Sequence, residues 1–202
     1  MSLSLSKKIV WKVIFVGDSG VGKTSIVLRS MGKFKKNTES TIGVDYVTRH
    51  VSENPPCDIQ FWDTAGQERF CALNPMYIRD SDIQVVVYDI SNIQSFQNIS
   101  FWIEEIQKYR LEPRMILVGN KIDQKRKVQQ EQGSDIAKMY GTDFIEISAM
   151  KNLYVDELIH HIIQLIKKWE YIQNNHFVSN VNLVEKTTSN KKREIKSYLL
   201  YC

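Results

Sequence analysis

Eight consecutive residues, Gly17-Asp18-Ser19-Gly20-Val21-Gly22-Lys23-Thr24, constrain this chain more than any other stretch. The glycines at 17, 20 and 22 let a backbone curl tightly and approach a bound group closely. Before them runs Ile9 to Val16, short, apolar and rich in β-branched and aromatic residues, which reads as a buried strand. After them, from about Gly22 to Ser30, the pattern is helical. A strand, a loop of the form Gly-x-x-x-x-Gly-Lys-Ser/Thr and a helix together make a phosphate cradle. Its donors are the successive amides of Ser19, Gly20, Val21, Gly22, Lys23, Thr24 and Ser25, aided by the positive end of the helix. The Lys23 ammonium supplies mobile charge to the β- and γ-phosphates, and the Thr24 hydroxyl is a candidate Mg²⁺ ligand.

Five further strand patterns follow: Val44 to Val51, Asp58 to Trp62, Ile83 to Tyr88, Met115 to Val118 and Phe144 to Ile147. Asn54, Pro55 and Pro56 join the first two by a turn of hairpin length, so that pair is expected to be antiparallel. The others need helical crossovers and are expected to be parallel. Amphipathic helices are expected over Ser95 to Tyr109, with Phe96, Ile99, Ile103 and Ile106 on one face, and over Val155 to Ile166. The fold class that results is a three-layer α/β domain: a six-stranded, mostly parallel sheet with helices on both faces, its ligand at the strands' carboxyl ends.

With 202 residues, 43% hydrophobic and 25% charged, the chain has the composition of one folded domain and a tail. Apolar periodicity fades after Trp169, which places the domain at residues 1–172 and a flexible basic tail at 173–202. The tail carries five Lys/Arg against two Glu, so most of the formal charge of +4 lies there and the body is near neutral. A nucleic-acid-binding face, which needs basic residues clustered on the fold, is therefore not expected. Cys57, Cys71 and Cys202 lack disulfide-framework or zinc spacing, which fits a reducing, intracellular compartment. No signal peptide and no apolar run of about 18 residues is present, so membrane contact is expected to be peripheral.

The phosphate loop does not choose between ATP and GTP. Asn120-Lys121-Ile122-Asp123 follows the strand Met115 to Val118 at the ligand edge of the sheet. A carboxylate at 123 can accept from both N1-H and the 2-amino group of guanine, a pair adenine lacks. Ser148-Ala149, in the next loop on the same edge, offers a backbone amide to the guanine O6. Asp63-Thr64-Ala65-Gly66-Gln67-Glu68 follows a strand that brings Asp63 to the phosphate end, where its carboxylate can hold Mg²⁺ through water. Gly66 allows an amide to approach the γ-phosphate. Gln67, with both a donor and an acceptor, can orient an attacking water.

In order, GDSGVGKT, STIGVDY, WDTAGQERF, NKID and SA resemble the motifs of a Ras-superfamily small GTPase, over roughly Lys7 to Lys168. IGVDY, WDTAGQERF, YIRDS and VYDIS resemble Rab proteins, and the run YIRDSDIQVVVYDISNIQSF is most similar to the Golgi-associated sixth Rab subgroup. The resemblance implies that Thr41 ligates Mg²⁺ and contacts the γ-phosphate in a loop released by hydrolysis. It implies that Phe34 packs edge-on against guanine, and that Ile42, Tyr46, Trp62 and Tyr77 form an effector surface. Core packing is the other reading of the three aromatics. It further implies GTP and GDP as substrate and product, exchange factors, activating proteins and effectors as partners, a monomer, and cycling onto the cytosolic face of Golgi or endosomal membranes in vesicle traffic.

Departures from the family pattern are local. Met150 stands where a lysine stem commonly covers the base, a role a flexible thioether can also fill. The loop into Phe34 is about one residue shorter than in similar Rabs, Ser30 takes an often apolar place, and Cys71-Ala72 replace an arginine-containing segment. Rabs usually end in paired cysteines for prenylation, whereas Cys202 is single here; with Lys191, Lys192, Arg193 and Lys196 one lipid could still hold a membrane. Two alternatives stand beside the GTPase switch: a P-loop ATPase or kinase in which NKID is accidental, and a binding module that keeps GTP because hydrolysis is impaired.

Overall fold

The computed structural model describes residues 9–33, 44–52, 56–64 and 75–169. Phe34, Thr41, Ile42, Gly66, Gln67, Cys71, Ala72, Cys202 and the tail lie outside these residues. Contacts divide the chain into Met1–His161 and Ile162–Cys202.

In the first unit six strands form one sheet: β1 (Ile9–Val16), β2 (Val44–Val51), β3 (Cys57–Thr64), β4 (Ile83–Asp89), β5 (Met115–Asn120) and β6 (Asp143–Glu146). Their order is β2-β3-β1-β4-β5-β6. β2 runs antiparallel to β3 with Tyr46 opposite Trp62, as the short connection demands. The remaining neighbours are parallel. β1 pairs with β3 on one side and β4 on the other, and the chain after β1 builds β2 and β3 on the first side before crossing to β4 on the second, so the loop after β1 lies at the switch point where an open α/β sheet forms a crevice.

β4 and β5 are buried at every position, the signature of parallel strands covered on both faces. The helices of the first unit are α1 (Lys23–Ser30), α2 (Pro75–Asp80), α3 (Ile93–Gln97), α4 (Ile99–Tyr109) and α5 (Gln130–Tyr140). A last helix, α6, covers 155–169, and the described residues of the second unit, 162–169, are all helical. On one sheet face Ile14, Val16, Val86, Tyr88 and Leu117 meet Ile78 of α2, Ile99, Trp102, Ile103 and Ile106 of α4, and Ala137 of α5. Alternation turns Val13, Phe15, Ile59 and Phe61 to the opposite face, where α1 packs on β3.

All six expected strands are present. The stretch Ser95 to Tyr109, expected as one helix, is two: Asn92 caps the start by accepting from the Gln94 N-H at 3.0 Å, and Asn98 separates α3 from α4. Asparagine is a weak helix former whose amide competes for other partners, and here it reaches Asp18. The last strand starts one residue earlier than expected, at Asp143. The short α2 and the longer α5 were not anticipated. α5 buries only Gly133 and Ala137, so small residues hide its periodicity.

Candidate functional site

The loop Gly17–Thr24 emerges from β1 against β4. A Cβ on Gly17, whose φ is +140°, would lie 2.1 Å from the Val87 carbonyl oxygen, so only glycine fits. Gly22, at φ +101°, sits against the next loop: a Cβ there would meet Asn120 Nδ2 at 2.4 Å. This close approach lets Asn120, 2% exposed, donate to Val21 O at 2.9 Å while its Oδ1 accepts the Ala149 N-H at 3.1 Å. One amide thus ties the phosphate loop to both candidate base loops. Lys23 is 4% exposed and its Nζ donates to Gly17 O at 2.6 Å and Asp18 O at 2.8 Å, which folds the loop around the ammonium.

Lys121 adopts a left-handed backbone, φ 69°, sparsely populated for a non-glycine residue. Its ammonium lies over the same loop, 2.6 Å from Gly20 O, and pairs with Asp89 Oδ2 at 2.8 Å. Asp89 is anchored in turn by the Ser91 N-H and hydroxyl at 2.8 and 2.6 Å. The Asp123 carboxylate accepts from the Ser148 hydroxyl and, at 2.8 Å, from Gln124. Burial acts to raise its pKa, but those donors and the Lys151 charge outweigh burial and hold the carboxyl below its ordinary range. Ser148 is locked by a two-bond bridge to Leu153, and its hydroxyl accepts the Lys151 N-H at 3.0 Å. Met150 is 41% exposed beside this loop.

Asp63 sits at the carboxyl end of β3, level with Phe15 of β1, and is buried. Thr24 stands in the first turn of α1. A threonine hydroxyl and a carboxylate are hard oxygen donors, the kind Mg²⁺ takes, so the residues present fit that ion. The structure therefore brings together Ser19 to Ser25, Asn120, Lys121, Asp123 and Ser148 to Met150 at one sheet edge.

Sequence reasoning missed several supporting residues. Arg29 of α1 donates from Nε to Ala149 O and from Nη2 to Met150 O, both at 2.9 Å, clamping the last base loop to the phosphate helix. Asp18, Asn98 and Trp102 form another link. Their partners lie 80 or more positions away, so no local pattern announces them.

The aromatics Tyr46, Trp62 and Tyr77 also meet. Tyr46 stacks on Trp62 with centroids 4.8 Å apart, and Trp62 meets Tyr77 at 5.5 Å. Tyr46 is 50% exposed on the edge strand, while Trp62 and Tyr77 are half-buried and pack against the core, so the trio joins the core to the surface. The Lys12 ammonium lies 5.8 Å from the Trp62 ring centre, and a cavity of about 80 Å³ opens beside them, bounded also by Met76 and Tyr77.

A phosphate cradle at the sheet's switch point, an acidic strand end and a carboxylate in the neighbouring loops define a P-loop nucleotide-binding protein. The model of the Ras family matches residues 12–168. Ras-related protein Rab-15 of Rattus norvegicus is 40% identical over 163 residues, 78% of this chain and 77% of that one. The chain belongs to the Ras family, as a small GTPase of the Rab type that acts in membrane trafficking. Neither an ATPase nor a kinase is favoured by that membership. Among the described residues no helix is long and apolar enough to cross a membrane.

Proposed function

We propose that the loops at the carboxyl ends of β1, β3, β5 and β6 close on one guanine nucleotide, GTP or GDP, and that hydrolysis switches the chain between two partner-binding states. The observation that carries this reading is Asn120, buried between Val21 and Ala149. Through it the residues that would hold phosphate and those that would read the base form one rigid frame. The amides of Ser19 to Ser25 bind the phosphate oxygens, and Lys23 adds charge at the β- and γ-phosphates. Asp123 accepts from the guanine edge, with the Ser148 and Gln124 donors keeping it ionised. Phe34 and Met150 cover the base, and Lys121 spans base loop and phosphate loop.

Thr24, Thr41 and Asp63 would hold Mg²⁺, which when bound neutralises charge developing on the phosphate oxygens. Gly66 presents an amide to the γ-phosphate, and Gln67 orients the attacking water without itself needing to be a strong base. Ras-type GTPases gain ~10³ to 10⁵ in rate from an arginine, commonly a partner's, which is known of the class and not read from this chain. With no such arginine evident in its motifs, hydrolysis here is slow until an activating protein supplies one. An exchange factor reloads the site, and effectors meet the strip Ile42, Tyr46, Trp62 and Tyr77. The chain works as a monomer in the cytoplasm and cycles onto endomembranes through its basic tail, residues 173–202, with Cys202 as lipid site. The run Tyr77 to Phe96 supports a Golgi-associated setting.

The test is Mg²⁺-dependent binding of fluorescent GDP, GTP and ATP, followed by single-turnover phosphate release. Guanine-only binding and slow release are expected, and Gln67→Leu should keep binding while slowing release at least tenfold. Unchanged release would remove Gln67 from its role. A wild-type chain that binds GTP but releases no phosphate would make it a constitutively loaded module.

A further inference from the structure

Asp18 is the one acidic residue in the loop Gly17–Thr24, and its two oxygen-bearing groups face different ways. Its main-chain carbonyl accepts the Lys23 ammonium at 2.8 Å. Its carboxylate is turned onto the α3–α4 junction, where Oδ1 accepts the Trp102 indole N-H at 2.7 Å and Oδ2 accepts the Asn98 amide, also at 2.7 Å. Both carboxylate oxygens are therefore engaged by donors outside the loop. Trp102 is 4% exposed and fixed within the cluster of Ile99, Ile103 and Ile106, so its N-H is aimed by packing.

A carboxylate in a phosphate-binding loop works against the loop's purpose. It repels anionic phosphate and competes for the lysine that phosphate needs. Here the competition is close, because the carboxylate and the carbonyl that holds Lys23 hang from the same Cα. Two charge-assisted hydrogen bonds are enough to keep the side chain on α4.

We propose that Trp102 and Asn98 are positioning residues for nucleotide binding, which sequester the Asp18 carboxylate on α4 and leave Lys23 to the phosphates. The proposal rests on the assignment of Gly17–Thr24 as the phosphate site. α4 thereby becomes an element that sets nucleotide release without touching the nucleotide. A route for control follows, since Phe101, exposed on α4, packs edge-on against Trp102 at 5.4 Å.

The experiment is release of fluorescent GDP from the full chain in Mg²⁺, chased with excess unlabelled GDP. Trp102→Phe and Asn98→Ala, each deleting one donor, should speed release about tenfold, as expected for loss of one charge-assisted hydrogen bond. Adding Asp18→Ala to either should bring the rate back to within about threefold of wild type, because the competing group is then gone. A packing role for Trp102 would give no such rescue. Release at the wild-type rate in both single variants, or acceleration that persists after Asp18→Ala, overturns the proposal. Asn98 is only half-buried, so its variant decides the question even if Trp102→Phe fails to fold. A wild-type chain that does not bind GDP overturns the phosphate-site assignment, and the proposal with it.

Discussion

Asp123 shows how one side chain acquires a role from its neighbours. A carboxyl whose folded pKa is depressed contributes stability that is complete above its ordinary value of 3.8 and is lost only as pH falls through the lower folded value. The same sign governs base reading, since only the ionised form accepts two hydrogen bonds from guanine. Asp123 should therefore add no pH dependence to GDP affinity between about pH 8 and about pH 5, so in a titration with fluorescent GDP the wild type and Asp123→Asn should follow curves of the same shape, set by the terminal phosphate of GDP, which titrates at about pH 6. A midpoint inside that window that disappears in Asp123→Asn would contradict the assignment. Asp123→Asn should itself cost about 10⁴-fold in guanine affinity, as expected when a site loses the hydrogen bonds it was built around, and should gain xanthine nucleotide. Competition between GDP and its xanthine counterpart measures it, and a retained guanine preference would place the base reader elsewhere. That Lys23, Asn120, Asp123 and Ser148 come together at one sheet edge was legible in the sequence, because each sits at a fixed offset from a strand end. Arg29, Asn98 and Trp102 were not, because their partners come from other parts of the chain.

Between elements, the contact of α5 with the sheet turns on Tyr88. Its ring is fully buried, and a Cβ on Gly133 of α5 would lie 2.5 Å from both its hydroxyl oxygen and Phe144 Cζ. Alanine at 133 would gain about 1 kcal/mol in helix propensity. Overpacking of about 1–3 kcal/mol opposes that gain, so Gly133→Ala should lower stability on balance. A urea midpoint above wild type would show that helix propensity wins and the contact yields. Burial, then the charge of Glu146, pushes the Tyr88 phenol far above its ordinary pKa, and its hydroxyl has no hydrogen-bond partner among the described residues. Tyr88→Phe should accordingly leave stability unchanged or raise it by up to about 1 kcal/mol, read by the same urea midpoint. A loss of about 1 kcal/mol or more would mean the hydroxyl is satisfied in solution. The same glycine explains why α5 escaped sequence reasoning. Its fully buried positions are Gly133 and Ala137, with Ile136 and Tyr140 half-buried beside them, and the fit of Gly133 depends on Tyr88 of β4 and not on apolar spacing within the helix.

Across the whole domain, the strand set was readable because parallel strands buried on both faces must be short apolar runs. Their order was less so, since β2-β3-β1-β4-β5-β6 depends on which crossovers pass over which face. That order gives the domain a thermodynamic property: the loops after β1, β5 and β6 are cross-tied through Asn120, Lys121 and Arg29, so a ligand that joins them stabilises the sheet they leave. GDP binds the folded state and not the unfolded chain. At a concentration about a hundredfold above its Kd it should contribute about 2.7 kcal/mol. For a chain of this size each kcal/mol moves the melting midpoint by about 2–4 °C, so a rise of roughly 5–11 °C is expected with GDP and Mg²⁺. With Asp123 as the proposed base reader, ATP should give none, because adenine lacks the two donors that guanine would offer it. Chelation of Mg²⁺ should remove part of the rise, since Thr24 and Asp63 would then face the phosphates without the ion between them. Differential scanning calorimetry of the full chain with each nucleotide checks this. Equal shifts from ATP and GDP would mean that the phosphate loop binds but the base loops do not select, and a GDP shift insensitive to chelation would take Mg²⁺ out of the site.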